Sequence, residues 1–207
     1  MLVAQQRARV RGIEDKVDGV QGSLLDLQQM DLGPFDYINC SGVLHHLEDP
    51  AARLAPLKSV LKKEGTIGLM LYGRYGRIGI DQLQKLMRLI NHDLDGQELE
   101  NAHAVIDRLP ATNWCKRALD LFPIYEQLGD TEIYDLLLHK RDPTYTVTDV
   151  YELLDRCGLQ LVEHTKDQRP LYESGFAFPE PPLRTQIEKL SRREQQAATE
   201  LFWGAIT

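Results

Sequence analysis

Two continuous apolar runs stand out in the hydrophobic pattern of the first third of the chain. Residues 35–40 (FDYINC) contain a single acid, and residues 66–72 (TIGLMLY) contain no charged side chain. Runs of this kind are typical of strands that are buried on both faces, as in a parallel sheet. Residues 50–63 lie between them and repeat apolar side chains at helical spacing. The pattern therefore predicts a strand, a helix and a second strand in a right-handed βαβ unit.

Turn and capping signals set the limits of these elements. Asp49 and Pro50 are an N-cap residue and an N1 proline, so the helix is expected to start at residue 50. Glu64 and Gly65 are expected to end the helix, and the second strand is expected to start at Thr66.

The rest of the chain shows mostly helical periodicity. Helices are expected at 2–11, 80–91, 97–109 and 147–157, and short strands at 17–21 and 159–164. Ser191 and Glu194 form a capping box for a last helix, which reaches Thr207 without a stop signal. Residues 111–145 mix aromatic side chains with turn formers, and we expect only short helical pieces there.

Glycine recurs at every third position in the loop after the second apolar run, GRYGRIG at 73–79. This spacing differs from the G-x-G-x-x-G loop that binds phosphate. The loop is interpreted either as a flexible turn or as a loop on the substrate side of the sheet, and the two interpretations are compatible.

Prolines at 179, 181 and 182 mark the clearest change in composition. We expect an α/β domain over residues 1–178, with a helical insertion over about 80–145, followed by a proline-rich linker and a helical tail over 179–207. The insertion is either a lid over an active site or a plain packing subdomain, and the sequence leaves both readings open.

Composition narrows the class of protein. The 207 residues carry a net charge of −7, which disfavours a general nucleic-acid binder, because such proteins cluster Lys and Arg. No apolar run is long enough to span a membrane, and the N-terminus shows no signal-peptide pattern. The three cysteines, at 40, 115 and 157, indicate neither a disulfide framework nor a zinc site. A reducing cytoplasm fits this cysteine usage best.

The candidate functional residues come directly after the first predicted strand. Ser41 and Gly42 stand where the strand must turn, and residues 43–46 (VLHH) follow. Because open α/β sheets bind ligands at the carboxyl ends of their strands, we expect a binding site here.

Three segments in order carry a family resemblance. Residues 35–50, FDYINCSGVLHHLEDP, resemble the fourth-strand segment of class I S-adenosylmethionine (SAM) dependent methyltransferases. GSLLDL at 22–27 is similar to the third-strand adenine segment of that family, and LKKEGTI at 61–67 is similar to its turn into strand five. The resemblance implies an α/β fold, a Rossmann-like methyltransferase sheet with helices on both faces, and SAM as the cofactor.

The resemblance also implies which residues hold the adenine of the cofactor. Ser23 and Leu24 are expected to flank it. Asp26 is expected either near the adenine amino group or as a cap for the following turn, and both roles stay open.

The turn after the first strand is implied to lie along the cofactor. Cys40, Ser41 and Gly42 form this part of the expected site, Gly42 because no side chain would fit there. His45 is expected to face the pocket near the reactive methyl group, and His46 to pack under the following helix.

Two residues are candidates on the acceptor side. Tyr72 and His139 are expected to act as a base or a hydrogen-bond donor, with a purely structural role as the alternative for each. No metal is expected, because the adjacent His45 and His46 diverge and no third ligand is apparent.

Two hallmarks of the family are not found in the sequence. These are the G-x-G-x-G turn after the first strand and the acid at the end of the second. We expect that the chain is an N-terminally truncated fragment that lacks about one βαβ unit. The alternatives are a degenerate, non-catalytic relative and a sheet that is connected differently.

The leading hypothesis is a SAM-dependent methyltransferase, or a large fragment of one, that acts on an unidentified small-molecule or protein acceptor. The alternative is a non-catalytic binding or scaffold protein that kept the fold and lost the cofactor site. A nucleotide-dependent oxidoreductase is disfavoured, because no motif here binds a pyrophosphate. We expect no nucleic-acid or membrane partner, and homo-oligomerisation is left open.

Overall fold

A parallel pair of strands forms the centre of the α/β part of the molecule. The structure is a computed structural model that describes residues 2–44, 49–92, 96–121, 129–139 and 142–204. Strand β1 (Phe35–Ser41) and strand β2 (Leu61–Met70) pair in parallel, and helix α2 (Pro50–Ser59) connects them. The predicted parallel strand–helix–strand unit is confirmed.

Strand β2 begins five residues earlier than the sequence predicted. Helix α2 ends at Ser59, and the Val60 carbonyl accepts a hydrogen bond of 2.8 Å from the Phe35 amide, which joins the turn directly to the ladder. Residues 62–65 form an irregularity in the register, because Phe35 lies opposite Leu61 and Tyr37 opposite Thr66. The prediction that residues 64–65 end the helix is therefore wrong.

Strand β1 is buried on one face only, so the predicted burial on both faces is wrong. Cys40 is buried and Ile38 partly buried, and both pack into a hydrophobic core. Tyr37, Asn39 and Ser41 project from the opposite face and are exposed. Residues 35–40 look continuously apolar because Tyr37, on the exposed face, is an aromatic residue that is favourable on the surface of a sheet.

The two short strands predicted at 17–21 and 159–164 are absent. Val17 and Val20 are more than half exposed, and the only ladders within the described residues join β1 to β2 and a second short pair. Leu159 and Leu161 pack against the first core without a strand partner. These apolar side chains reach the core although their backbone is irregular. The hydrophobic pattern of such a segment resembles that of a strand, so the sequence alone does not distinguish the two.

The second strand pair is short and joins the two ends of the helical segment, since β3 comes before these helices in the sequence and β4 after them. Strand β3 (Tyr72–Gly73) pairs in parallel with strand β4 (Thr144–Tyr145). The Arg74 amide extends this link with a hydrogen bond of 2.9 Å to the Tyr145 carbonyl. Residues far apart in sequence are thereby joined at the end of β2.

Helices fill the segment between β3 and β4. Their bounds are α3 (Ile78–Ile90), α4 (Glu98–Ile106), α5 (Trp114–Leu121), α6 (Asp130–Ile133) and a π-helical turn (Tyr134–Leu138). The predicted helices at 80–91 and 97–109 are thus confirmed. A second core binds this group together, formed by Ile80, Leu83, Met87, Ala102, Cys115, Ile133 and Leu137.

Three further capping predictions, at Gly12, at Thr146 with Asp149 and at Ser191 with Glu194, are confirmed. Helix α1 (Leu2–Val10) is followed by Gly12 in the left-handed region, and α7 (Val147–Arg156) has a complete capping box between Thr146 and Asp149. Short helices α8 (Ser174–Ala177) and α9 (Leu183–Ile187) precede α10 (Arg192–Trp203), which starts with the predicted Ser191 capping box. Gly204 ends α10 with φ +63°, so the prediction that no stop signal is present is wrong.

Helix α10 packs back onto α7. The Glu200 carboxylate accepts a hydrogen bond of 2.9 Å from the Val147 amide, at the N-terminus of α7. The Tyr151 hydroxyl donates to Gln196 Oε1 at 2.8 Å. Since Leu153 and Leu154 on α7 belong to the core under β1, α10 is tied through α7 to the parallel strands.

Replacing Glu200 with glutamine should remove the part of the free energy of unfolding that is lost when Glu200 ionises with rising pH. Burial raises the pKa of Glu200, although the Val147 hydrogen bond opposes the shift. The folded state therefore keeps the Glu200 carboxyl protonated at pH values where the unfolded chain has already lost this proton. The free energy of unfolding falls as pH rises from the unfolded-state pKa through the folded-state pKa. Glutamine keeps an acceptor for Val147 without the charge, so its stability relative to wild type should increase from pH 4 to pH 7 in urea unfolding.

Glu194→Gln is the matched control on the same helix, with the opposite sign. The Ser191 hydroxyl and amide lower the pKa of Glu194, so its stabilisation is present at neutral pH and is lost in acid. Glu194→Gln should lose stability at pH 7 and match wild type in acid. The same sign of pH trend in both variants would contradict the role given to Glu200.

Candidate site at the carboxyl ends of the parallel strands

The ends of β1 and β2 lie side by side. Cys40 is opposite Leu69 in the ladder and Ser41 is opposite Met70. Gly42 then turns the chain with φ +72°, a conformation that side-chain-bearing residues rarely adopt. Among the described residues, which leave out 45–48, a Cβ at Gly42 would meet Met70 Cε at an ordinary 3.7 Å.

An exposed polar face leads to this turn. Ser41 Oγ donates a hydrogen bond of 2.7 Å to Asn39 Oδ1, and Tyr37 lies two residues further back on the same face. The Tyr37 ring crosses over β2 at Gly68, where a Cβ would lie 2.2 Å from its hydroxyl oxygen. Asn39 and Tyr37 were missed from the sequence, although period-two alternation places both on the face of Ser41.

Cys40 has a different environment from Ser41. Its side chain is 5% exposed and packs in the core with Leu44 and Leu54. Burial raises the pKa of its thiol. Only the backbone of Cys40 can therefore contribute to a site on the open face.

The thiols of Cys40 and Cys115 should be protected in the folded protein. Cys115 is 2% exposed, and burial raises the pKa of its thiol to about 11. With Ellman's reagent at pH 8, both should react at least about a hundredfold more slowly than a free thiol, whereas the half-buried Cys157 should react first. All three should react in denaturant. Rapid labelling of Cys40 in the native protein would contradict the packing of β1.

The predicted adenine residues lie at the start of a 3₁₀ helix (Leu24–Gln29). Ser23 is its N-cap, and its hydroxyl accepts a hydrogen bond of 3.2 Å from the Leu25 amide. Leu24 packs against the core that contains Cys40, and Asp26 is exposed in the first turn. The structure thus brings Leu24 to the core below the strand ends and gives the Ser23 side chain a capping role.

The predicted acceptor-side residues flank the helices that lie between β3 and β4. Tyr72 lies in β3, and the guanidinium of Arg77 is 3.7 Å from its ring centroid. Burial raises the pKa of Tyr72. His139 directly follows the π-helical turn that packs on α3 and α4. His45, the candidate nearest the reactive methyl group, lies outside the described residues, as does His46.

A buried polar network supports Tyr72 and was not found from the sequence. Arg77 is 4% exposed and forms an ion pair with Asp142, whose side chain is also buried. Gln84 on α3 donates to Asp142 Oδ2 at 3.1 Å and to the Leu136 carbonyl at 2.8 Å. Charged residues 65 positions apart give no sequence signal of pairing. The network fixes the turn after β3 against the helices.

The described residues show neither a metal cluster nor a membrane span. No group of three or more His, Cys, Asp or Glu side chains among them could hold an ion. None of the helices in the described ranges is both long and apolar enough to cross a bilayer.

Comparison with known proteins identifies the fold. Residues 1–69 match the family model described as "Methyltransferase domain". The chain aligns at a TM-score of 0.61 with PKMT2 from Rickettsia typhi in complex with AdoHcy, covering 97% of this chain and 40% of that one at 16% identity. A second structure of PKMT2 from Rickettsia typhi aligns equally well at 14% identity. The fold is that of a class I methyltransferase.

A curated relative matches the full length of the chain. The uncharacterized protein syc1184_c of Synechococcus sp. is 30% identical over 210 residues, which cover all of this chain and 50% of that protein. The chain thus spans about half the length of this relative. The resemblance drawn from residues 22–67 is confirmed, whereas the expected loss of the first two strands stays a prediction.

Proposed function

We propose that the chain is the methyltransferase portion of a SAM-dependent enzyme and contributes the cofactor surface at the ends of β1 and β2. The observation that carries the proposal is the register that sets Ser41 beside Met70, followed directly by the turn at Gly42 with φ +72°. Strand β1 and all of β2 but its last residue lie within the matched methyltransferase segment, residues 1–69. Open α/β folds bind nucleosides at this edge of the sheet.

The residues at this edge fit a nucleoside cofactor. Gly42 provides room for close approach of a ligand to the backbone, and Leu24 provides an apolar contact for a base. The Asn39 and Ser41 side chains supply polar groups on the open face, and Asp26 is an exposed carboxylate. We propose that these residues and the Cys40 backbone hold SAM, which supplies the electrophilic methyl group when bound.

The acceptor is expected on the side of Tyr72. Methyl transfer is an in-line displacement, so holding the two reactants in line provides much of the acceleration. Because burial raises its pKa, Tyr72 keeps its proton at neutral pH and would orient the acceptor as a hydrogen-bond donor. The ring is fixed for this role by the Arg77 guanidinium. His45 and His139 stay candidates for the same side of the site.

The compartment and acceptor complete the proposal. All three cysteines are free thiols, which suits a cytoplasmic protein. The acceptor is a small molecule or a protein that enters beside Tyr72.

Isothermal titration with S-adenosylhomocysteine tests the proposal directly. Wild-type protein should bind with measurable heat, and Gly42→Ala should bind at least tenfold more weakly, because the new Cβ occupies the space beside the turn. Gly12→Ala is the matched control, since Gly12 also has φ +63° and lies away from the strand ends. Both variants carry similar backbone strain.

Three outcomes distinguish the alternatives. Binding that is weakened only by Gly42→Ala supports the methyltransferase proposal. Binding that both variants weaken equally would mean that strain, and not the site, is responsible. No binding by the folded wild-type chain would contradict the proposal that the residues at the ends of β1 and β2 hold the cofactor.

A further inference from the structure

The two hydrophobic cores share no residue among the described parts of the chain. Every side chain of the second core, including those that are partly buried against it, comes from residues 80–138. Every side chain of the first core comes from residues 24–71 and 145–161. The two cores are thus separated along the chain by only two short segments, 72–79 and 139–144.

A buried polar clamp closes the base of the helical segment. The ion pair of Arg77 and Asp142 joins the residue before α3 to the segment that follows the π-helical turn. Gln84 of α3 donates hydrogen bonds to Asp142 Oδ2 at 3.1 Å and to the Leu136 carbonyl of the π-helical turn at 2.8 Å. Both ends of the helical segment are thereby fixed to each other. We call the described residues from 77 to 142 the lid.

The lid is connected to the α/β part by β3 and β4, which contain two residues each and pair side by side. The Arg74 guanidinium spans this connection. It donates a hydrogen bond of 3.3 Å to the Thr144 carbonyl and pairs at 2.9 Å with Asp149, in the first turn of α7. The side chains of Arg74 and Asp149 are both partly exposed. Parts of a chain that meet through a small polar interface are expected to move relative to each other, because a large apolar interface is what prevents such movement.

We propose that the lid pivots on β3 and β4, and that this movement opens and closes the acceptor side of the site at Tyr72. Tyr72 belongs to β3, and the Arg77 guanidinium of the lid is 3.7 Å from its ring centroid. A rotation of the lid about the two strands therefore changes what covers the Tyr72 ring. Hinges concentrate movement in a few residues at the ends of elements, as here. The role at Tyr72 rests on the proposed function, whereas the pivot does not.

Distances between two spin labels test the pivot. One label is attached at Arg88→Cys on α3 of the lid and the other at Glu152→Cys on α7, because both positions are exposed. The change Cys157→Ala removes the half-buried thiol, and the buried thiols of Cys40 and Cys115 are protected in the folded protein. Pulsed electron paramagnetic resonance then gives the distribution of distances between the lid and the α/β part.

A reference pair within the α/β part sets the expected width. Glu152→Cys is combined with Leu201→Cys, which is exposed on α10, and hydrogen bonds from Val147 and Tyr151 hold α10 on α7. The distribution for the lid pair should be at least twice as broad as that of the reference pair, because only the lid pair spans the hinge.

Arg74→Met should broaden the distribution of the lid pair further, because it removes the link to Asp149. It should also speed the nitration of Tyr72 by tetranitromethane several-fold, as followed by mass spectrometry of the peptide that contains Tyr72. Arg193→Met is the matched control. Arg193 also pairs with an aspartate of α7, Asp155, at 2.8 Å and with both side chains exposed, but this pair joins α7 to α10.

Each outcome decides a part of the proposal. A lid pair as narrow as the reference pair in the otherwise wild-type protein would overturn the pivot, and this comparison decides even if Arg74→Met does not fold. Equal broadening by Arg74→Met and Arg193→Met would overturn the role of Arg74 at the hinge. A broader distribution with unchanged nitration of Tyr72 would overturn the role at Tyr72. Neither measurement uses the cofactor, so a failure to bind S-adenosylhomocysteine is distinguished from a failure of the pivot.

Discussion

Replacing Arg77 with methionine should lower the free energy of unfolding by about 3–5 kcal/mol, the cost of removing one partner of a buried ion pair. Arg77 and Asp142 are 5% and 2% exposed in their side chains, so water cannot replace the lost guanidinium. The same change removes the cation from the Tyr72 ring. Urea unfolding monitored by circular dichroism measures the loss.

Arg74→Met is the matched control three residues earlier. Arg74 pairs with Asp149 at 2.9 Å, but the two side chains are 49% and 35% exposed. An exposed pair of this kind contributes at most about 1 kcal/mol. If Arg77→Met and Arg74→Met had equal effects, the ion pair would not be buried as described. The double variant Arg77→Met/Asp142→Leu should recover much of the loss, because both charges of the buried pair are then removed.

Replacing Gly79 with alanine should destabilise the protein by about 1–3 kcal/mol, the usual cost of overpacking. An alanine within a helix is normally more stable than a glycine by about 0.5–1 kcal/mol. Here the added Cβ would lie 2.3 Å from the Cys115 backbone nitrogen and 2.6 Å from its Cα. Helices α3 and α5 would have to separate, because backbone atoms cannot rotate away.

Gly175→Ala provides the control for this glycine. Gly175 also lies in a helix, α8, and a Cβ there would meet no atom of the described residues within 4 Å. This variant should be neutral or slightly stabilising in the same urea titration. A loss for both variants, or for neither, would contradict the close contact between α3 and α5.

Local chemistry made the helix starts predictable. The Asp49 side chain accepts from the Ala51 amide at 3.0 Å, and the Ser191 capping box is complete. Each signal depends on residues within three positions of each other, so the sequence alone specifies it. The parallel β1–β2 pair was predictable for a related reason, since two apolar runs joined by one helix favour that arrangement.

Features that depend on distant partners were not predictable. The register irregularity at residues 62–65 is set by pairing with Phe35, and the early start of β2 follows from it. Leu159 and Leu161 looked like strand residues because they are apolar, yet they pack from irregular backbone. The Arg77–Asp142 pair joins segments 65 positions apart. Tertiary contacts override local preference in each case.

The sequence predicted the position of the candidate site in the fold better than it predicted the orientation of the individual side chains. Ser41 and Gly42 do lie at the ends of adjacent parallel strands, beside Met70. Cys40, by contrast, turns into the core, and Ser23 caps a 3₁₀ helix. Which face a strand residue occupies depends on what packs against each face, and the two faces of β1 differ.

A crystal structure of the chain with S-adenosylhomocysteine tests the central claim most directly. The cofactor surface proposed here predicts nucleoside density beside Gly42 and Met70, with contacts to the backbone of residues 40–42. Density bound elsewhere, or protein side chains filling the space at Gly42, would contradict it.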